Sequence, residues 1–203
     1  MMRVTIVIPL TLLGGCISLL PDPPPPPRIF ALESADVARS TQAPLVDAVI
    51  AVAQPTGERA ILGTDLVWRT GDELAFVAQT QWSTRAEFAL QSMLVETLAR
   101  DGRFRAATRS GEGQADYEVR WSVLDFQVVE ESMQARFVAD VRLVESPGRR
   151  IVAQRIVSVE APVSDRASSV AAQALARAAR EGSARIVDFA AEAAIANSPA
   201  PRQ

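Results

Sequence analysis

The fold of this 203-residue chain is decided by residues 117–160, which read YEVRWSVLDFQVVEESMQARFVADVRLVESPGRRIVAQRIVSVE. Apolar and polar side chains alternate through most of this stretch, which is typical of β-strands with one buried face. Turn sequences at 130–132 and 146–148 divide the stretch into three runs. The stretch therefore predicts three consecutive antiparallel strands, that is, a meander.

The alternation changes phase inside the first of these strands. Up to Val123 the apolar residues have odd numbers, and from Leu124 onward they have even numbers. A phase change within a strand predicts a β-bulge or a strong twist. Trp121 is in register with the odd-numbered apolar residues, so we interpret it as a core residue rather than an interface anchor.

An amphipathic helix is predicted before the meander, from about Thr84 to Asp101. Thr84 and Glu87 have the spacing of a capping box, in which each side chain satisfies a backbone N–H group at the start of the helix. Gly102 stands where a left-handed C-terminal cap is expected. These signals predict both ends of the helix.

A second, longer helix is predicted after the meander, from near Ser164 or Asp165 to about Ala194. Gly182 lies inside it, and glycine costs about 1 kcal/mol relative to alanine in a helix interior, so a kink or break is expected there. Small residues dominate the predicted buried seam, which would allow close approach to a sheet or another helix. The seam consists of Ala171, Leu175, Ala178, Gly182, Ile186, Phe189 and Ala193.

Shorter strands are predicted upstream of the meander, whereas residues 54–73 are rich in proline and glycine and are predicted to be largely loop. Together these elements predict an α/β fold with a single domain at 28–196, in which two main helices pack on a mixed sheet that contains the meander. The candidate short strands are Arg28–Leu32, Leu45–Ala53, Leu66–Trp68, Leu74–Gln79 and Phe104–Ala107.

The N-terminus has the pattern of an export signal. Arg3 precedes an apolar run at 4–13 that is too short to span a bilayer as a helix, which takes about 20 residues. Leu13, Gly14, Gly15 and Cys16 follow and resemble a lipobox, the sequence that lipoprotein signal peptidase recognises. The alternative is an ordinary signal peptide with an incidental cysteine, but the only cysteine of the chain stands at the lipobox position. We predict that residues 1–15 are removed and that Cys16 is lipidated.

Residues 16–27 are predicted to form the lipidated cysteine and a tether. Five consecutive prolines at 23–27 favour polyproline II, a semi-rigid spacer that extends by about 3.1 Å per residue. A ligand for a proline-recognition module is the alternative interpretation, and the position directly after the anchor favours the spacer. Residues 197–203 are predicted to be a disordered tail.

Composition excludes several classes of function. The net charge of −3 argues against a nucleic-acid partner, and the chain contains no histidine. With its only cysteine lipidated, the chain has neither imidazole nor thiolate for a metal site or a nucleophile system. We therefore predict no metal, no cofactor and no enzymatic activity, although a carboxylate-only enzyme remains formally open. Solvated strand ends and turns explain the candidate carboxylates better than catalysis does; these are Asp116, Asp125, Glu130 and Glu131.

Three stretches carry a resemblance to a known family. They are Gln81-Trp82 with the helix that follows, residues 98–104 (LARDGRF), and residues 115–117 (ADY) together with 123–126 (VLDF). In their order and spacing they resemble the ABC-type transport auxiliary lipoprotein family, over roughly residues 28–194. One departure is Gln81, which stands where the family often has arginine, so a role assigned to that arginine does not carry over.

The resemblance implies a non-catalytic companion of an Mce-domain lipid transporter. Such transporters pair an ATPase and a permease with a substrate-binding protein that bridges the periplasm. The lipoprotein is expected to dock that Mce-domain bridge at the periplasmic face of the outer membrane. Since Mce-type proteins assemble as rings, the resemblance is also compatible with a homo-oligomer. An activator of a cell-wall synthase or a secretion pilot is the alternative class, and the neighbouring genes would discriminate between them.

The partner-binding surface is predicted in residues 54–82. Trp68, Phe76 and Trp82 lie near loops in this region, and exposed aromatic side chains make good anchors at protein interfaces. For Trp68 and Trp82, ordinary core packing is the alternative. The outer membrane is favoured because Ile17, rather than aspartate, follows the lipidated cysteine.

Overall fold

The computed structural model describes residues 26–34 and 44–197. The predicted signal peptide, Cys16, most of the tether and residues 198–203 lie outside the described residues. The strands are β1 (Arg28–Phe30), β2 (Val46–Val52), β3 (Thr56–Gly57), β4 (Asp65–Thr70), β5 (Glu73–Trp82), β6 (Phe104–Arg109), β7 (Tyr117–Val129), β8 (Gln134–Glu145) and β9 (Arg150–Pro162). The helices are α1 (Arg59–Leu62), α2 (Ala86–Asp101) and α3 (Ser168–Asn197).

One mixed sheet organises the described part of the chain. The predicted meander is confirmed, because β7, β8 and β9 pair antiparallel in sequence order. The other edge of β7 pairs in parallel with β2, β3 and β4, one after another along its length. β6 extends the sheet beyond β2, and β5 and β1 extend it beyond β4. The predicted α/β fold with a mixed sheet is therefore confirmed.

The predicted bulge in β7 is also confirmed. Its pairing with β8 shifts register between Val123 and Asp125, so Leu124 is an extra residue that has no partner on β8. The side chain of Leu124 is 55% exposed, whereas Val123 and Phe126 on either side are buried. A bulge re-aims the side chains that follow it.

The two long helices cover one face of the sheet. α2 packs on α3 and β6, and α3 packs on β7, β8 and β9. Alternate residues of β7 and β8 point into this core, including Val119, Phe137 and Val141. The residues between them form the opposite face, called the outer face below, where Arg120 and Arg142 are exposed. None of the helices within 26–34 and 44–197 is long and apolar enough to cross a membrane.

The expected break at Gly182 is wrong, because α3 is continuous from Ser168 to Asn197. A Cβ atom at Gly182 would lie 2.4 Å from Cδ1 and Cε1 of the buried Phe137 ring. Close approach of helix and sheet, rather than bending, therefore requires glycine here. Asn197, predicted to begin the tail, is helical, and its amide contacts Arg150 and the Tyr117 hydroxyl.

Two further local predictions are wrong. α2 begins at Ala86 with Arg85 at the N-cap and no side-chain cap, so Thr84 lies too far from the first turn to form the capping box. The left-handed cap is confirmed at Gly102, which has φ of 72° and donates its N–H to the Leu98 carbonyl. Residues 54–73 are not largely loop, because β3 and β4 find backbone partners on β7, which is distant in sequence.

Side chains of α3 cover part of the edge strand β9. Arg185 donates to the Ser158 carbonyl at 2.8 Å, and Arg177 donates to the Pro162 carbonyl at 3.0 Å. Arg155 of β9 itself lies over the Phe189 ring, 4.9 Å from its centroid. The contacts of Arg177 and Arg185 occupy backbone acceptors that an edge strand otherwise leaves unpaired.

Candidate partner-binding surface

The carboxylates considered as catalytic candidates do not converge on one site. Asp116 accepts a hydrogen bond from the Val49 N–H at 2.7 Å, and Glu130 forms an ion pair with Arg166 at 2.5 Å. Glu131 accepts from the Gly71 N–H at the β4–β5 turn, and Asp125 lies on the outer face. Within the described ranges, no group of three or more histidine, cysteine, aspartate or glutamate side chains could hold a metal ion.

The β4–β5 hairpin carries exposed aromatic surface. Phe76 is 57% exposed, and Trp68 on the neighbouring strand is half-buried. Both line a shallow cavity of about 240 Å³ together with Ala75, Val77 and Arg166. Because Phe76 pairs with Val67 and Trp68 pairs with Ala75, the two rings project from opposite faces of the hairpin, and Phe76 is the one of the three predicted aromatic residues that is largely exposed.

Trp82 does not belong to this surface, so the expectation that it is exposed is wrong. Only 4% of the residue is exposed, and its ring stacks on Phe126 with centroids 5.8 Å apart. Its backbone N–H donates to the Thr64 carbonyl, and β1 pairs with its strand at Phe30. Trp82 is a core residue because β1 and β4 enclose this end of β5.

One edge of β5 is open next to Phe76. β4 pairs with one side of the strand, and β1 pairs with the other side only at Thr80–Trp82. Gln79, with φ of 54°, separates that paired end from residues 73–78. Among the described residues, no strand pairs with the second edge of residues 73–78. Unpaired strand edges are places where another polypeptide can add.

A second concave feature, called the outer-face cleft below, lies beside the bulge of β7. It has a volume of about 350 Å³ and is lined by Glu58, Ile61, Arg69, Asp72, Leu74, Leu124, Asp125 and Gln127. Arg136 lies 3.4 Å from Asp125, and the Gln127 side-chain amide donates to the same carboxylate. Burial raises the pKa of Asp125, while the charges of Arg136 and Arg69 oppose that increase.

The sequence pattern does not indicate the role of Gln127 in this cleft. Gln127 lies between the apolar residues Phe126 and Val128 in the part of β7 that follows the bulge. This position predicts a side chain that faces solvent. It is nevertheless only 6% exposed, because the cleft walls cover it. The one feature of the sequence that points to a site here is the phase change at Val123, because bulges often occur beside binding sites.

Comparisons with known proteins agree with the fold and the predicted family. Residues 30–187 match the family model of the ABC-type transport auxiliary lipoprotein component. The chain is similar in structure to protein XCC0632 from Xanthomonas campestris, with a TM-score of 0.77 and 23% identity over 84% of this chain and 98% of that chain. The hypothetical protein CT253 from Chlamydia trachomatis is similar with a TM-score of 0.53 and 10% identity, over 74% of this chain and 99% of that one.

At these identities the solved structures show the fold alone. None of the curated proteins matches the chain in sequence. The family model, in contrast, covers well over half of the 203 residues and includes the stretches that carried the resemblance. The predicted family is therefore confirmed: this chain belongs to the ABC-type transport auxiliary lipoprotein component family.

Proposed function

We propose that this protein is a lipid-anchored, non-catalytic adaptor of an Mce-type ABC lipid transporter. It binds the periplasmic Mce-domain component at the periplasmic face of the outer membrane. The family match over residues 30–187 carries the proposal, since it assigns the chain to auxiliary components of ABC-type transport. The exposed aromatic side chain of Phe76 beside an open strand edge supports a role in protein binding.

The proposed anchor leaves the folded domain available for a partner. The lipid on Cys16 attaches the protein to the membrane, and residues 17–27 separate the anchor from β1 at Arg28. At about 3.1 Å per residue, polyproline II over the whole of this segment would span roughly 34 Å. Membrane attachment therefore makes no demand on the domain surface.

Cys16→Ser is expected to remove both lipidation and membrane attachment, because no other thiol exists to accept the diacylglycerol. In cells that are fed an alkyne fatty acid, the wild type should become labelled and the variant should not. In a density gradient, the wild type should sediment with the outer membrane. Equal labelling of both proteins would refute the anchor. Sedimentation of the wild type with the inner membrane would refute the location.

Phe76→Ala is expected to weaken binding to the periplasmic part of the neighbouring Mce-domain protein about tenfold or more, as loss of an interface anchor does. Affinity is measured with the detergent-solubilised lipoprotein at low salt. Ile156→Ala is the matched control, because Ile156 is 64% exposed on β9, far from the hairpin in the sheet order.

The possible outcomes of this experiment separate two parts of the proposal. If the wild type binds no such protein, the adaptor function is wrong. If the wild type and Phe76→Ala bind equally well, only the assignment of the surface to the β4–β5 hairpin is wrong. A loss of affinity in Ile156→Ala alone would move the contact to β9.

A further inference from the structure

The outer-face cleft has an excess of negative charge. Three carboxylates line it, from Glu58, Asp72 and Asp125, against the single guanidinium of Arg69. Arg136 neutralises Asp125 only in part, since it lies between that carboxylate at 3.4 Å and Glu160 at 3.8 Å. The cleft therefore favours a cationic group.

A buried hydrogen-bond acceptor lies in the wall of the same cleft. Gln127 is more than nine-tenths buried, and its side-chain N–H donates to Asp125. Its Oε1 atom accepts no hydrogen bond from the described residues. Buried hydrogen-bond acceptors are nearly always paired in folded proteins. A ligand that donates a hydrogen bond to Gln127 Oε1 would therefore remove the cost of leaving this acceptor unpaired.

Apolar side chains complete the cleft. Ile61 and Leu74 line its walls, and Leu124 projects beside it because of the bulge in β7. Lysine and arginine side chains combine an aliphatic stem with a charged end, which matches apolar walls around a carboxylate. A compact inorganic cation would leave these apolar side chains without a contact.

The position of the cleft connects it to the β4–β5 hairpin. Leu74 lines the cleft, and Phe76 lies two residues further along β5, on the same face of that strand. A polypeptide that covers Phe76 on this face would therefore lie close to the cleft.

We propose that the outer-face cleft binds a lysine or arginine side chain presented by the protein partner of this adaptor. The charged end lies between Asp125 and Gln127, and the aliphatic stem packs on Leu74 and Leu124. This inference rests on the proposed function for the identity of the partner. The chemistry of the cleft itself is independent of that identity.

The first test measures the affinity of the full lipoprotein, in detergent, for the periplasmic part of the Mce-domain protein. Asp125→Asn keeps the shape of the side chain and removes its charge, so binding is expected to weaken about tenfold and to depend less on salt. Asp47→Asn is the control, because Asp47 is an exposed carboxylate on β2 outside the cleft. Unchanged affinity in Asp125→Asn, or an equal loss in Asp47→Asn, would overturn the proposal.

A second test uses a probe that does not require the partner. N-acetyl-arginine methylamide is titrated into the ¹⁵N-labelled lipoprotein, and the side-chain amide of Gln127 is followed by NMR. Saturable shifts are expected in the wild type and should be lost in Asp125→Asn, whereas N-acetyl-leucine methylamide should give none. Absence of saturable shifts in the wild type would overturn the cleft assignment.

The two tests fail independently. Saturation by the arginine probe without any binding of the Mce-domain protein would refute the proposed function and leave the cleft as a site for a basic side chain. Tighter saturation by phosphoethanolamine than by the arginine probe would assign the cleft to a lipid headgroup. That result would overturn the polypeptide as its occupant.

Discussion

Gly182→Ala is expected to lower the free energy of unfolding by about 2 kcal/mol, although alanine is the better helix former by about 1 kcal/mol. The added Cβ would lie 2.4 Å from the Phe137 ring, which is fully buried and packs edge-on against Phe126. Relief therefore requires α3 or the core of the sheet to move. Urea unfolding followed by circular dichroism measures the change.

Two controls make the Gly182 result specific. Gly148→Ala should change stability by less than about 0.5 kcal/mol, because no atom lies within 4 Å of a Cβ at that exposed turn. In a protein that carries Phe137→Leu, Gly182→Ala should lower the free energy of unfolding by less than it does in the wild type, since the smaller side chain leaves room for the methyl group. An increase in stability for Gly182→Ala would mean that the close approach of α3 to β8 is wrong.

Trp82→Ala is expected to lower the free energy of unfolding by about 3–5 kcal/mol, the range for removing a large buried aromatic side chain. The indole stacks on Phe126 and is almost completely buried, so its loss leaves a cavity between β5 and β7. Phe76→Ala on the same strand should cost less than about 1 kcal/mol, because that ring is largely exposed. Chemical denaturation of the wild type and the two variants measures these changes in the free energy of unfolding.

The Trp82 result also bears on partner binding. A Trp82→Ala protein with wild-type stability and reduced affinity for a partner would mean that Trp82 is a contact residue and that its burial is wrong. If Trp82→Ala is destabilised as expected, a loss of binding by this variant reflects its impaired folding and not the loss of a contact with the partner. Phe76 is therefore the residue with which to probe the surface.

The parts of the fold that could be predicted are those in which the signal is local. The meander follows from the alternation along residues 117–160, and its bulge follows from the phase change at Val123. Gly102 ends α2 as predicted because a left-handed cap depends on one residue. The strands β3 and β4 could not be predicted as fully, because their pairing with β7 joins residues that are distant in sequence.

The same distinction applies to the candidate surface. Phe76 is exposed as predicted, whereas Trp82 is buried at the end of β5 that pairs with β1, which lies about 50 residues earlier in the chain. Gln127 follows the polar positions of its strand, and only the walls around it make it a buried acceptor. The role of Gly182 likewise depends on Phe137 across the core.

The arginine contacts on β9 have a consequence for aggregation. β9 is 13 residues long and forms an outer edge of the sheet, which in general is a template for pairing with another copy. Arg177 and Arg185 occupy two of its carbonyl groups, and Arg185 is held in place by an ion pair with Glu181 at 2.6 Å. A second copy would have to displace both guanidinium groups before its backbone could pair with this edge. High protein concentration should therefore not lead to stacking of copies through β9, and the double variant Arg177→Ala, Arg185→Ala should remove that protection.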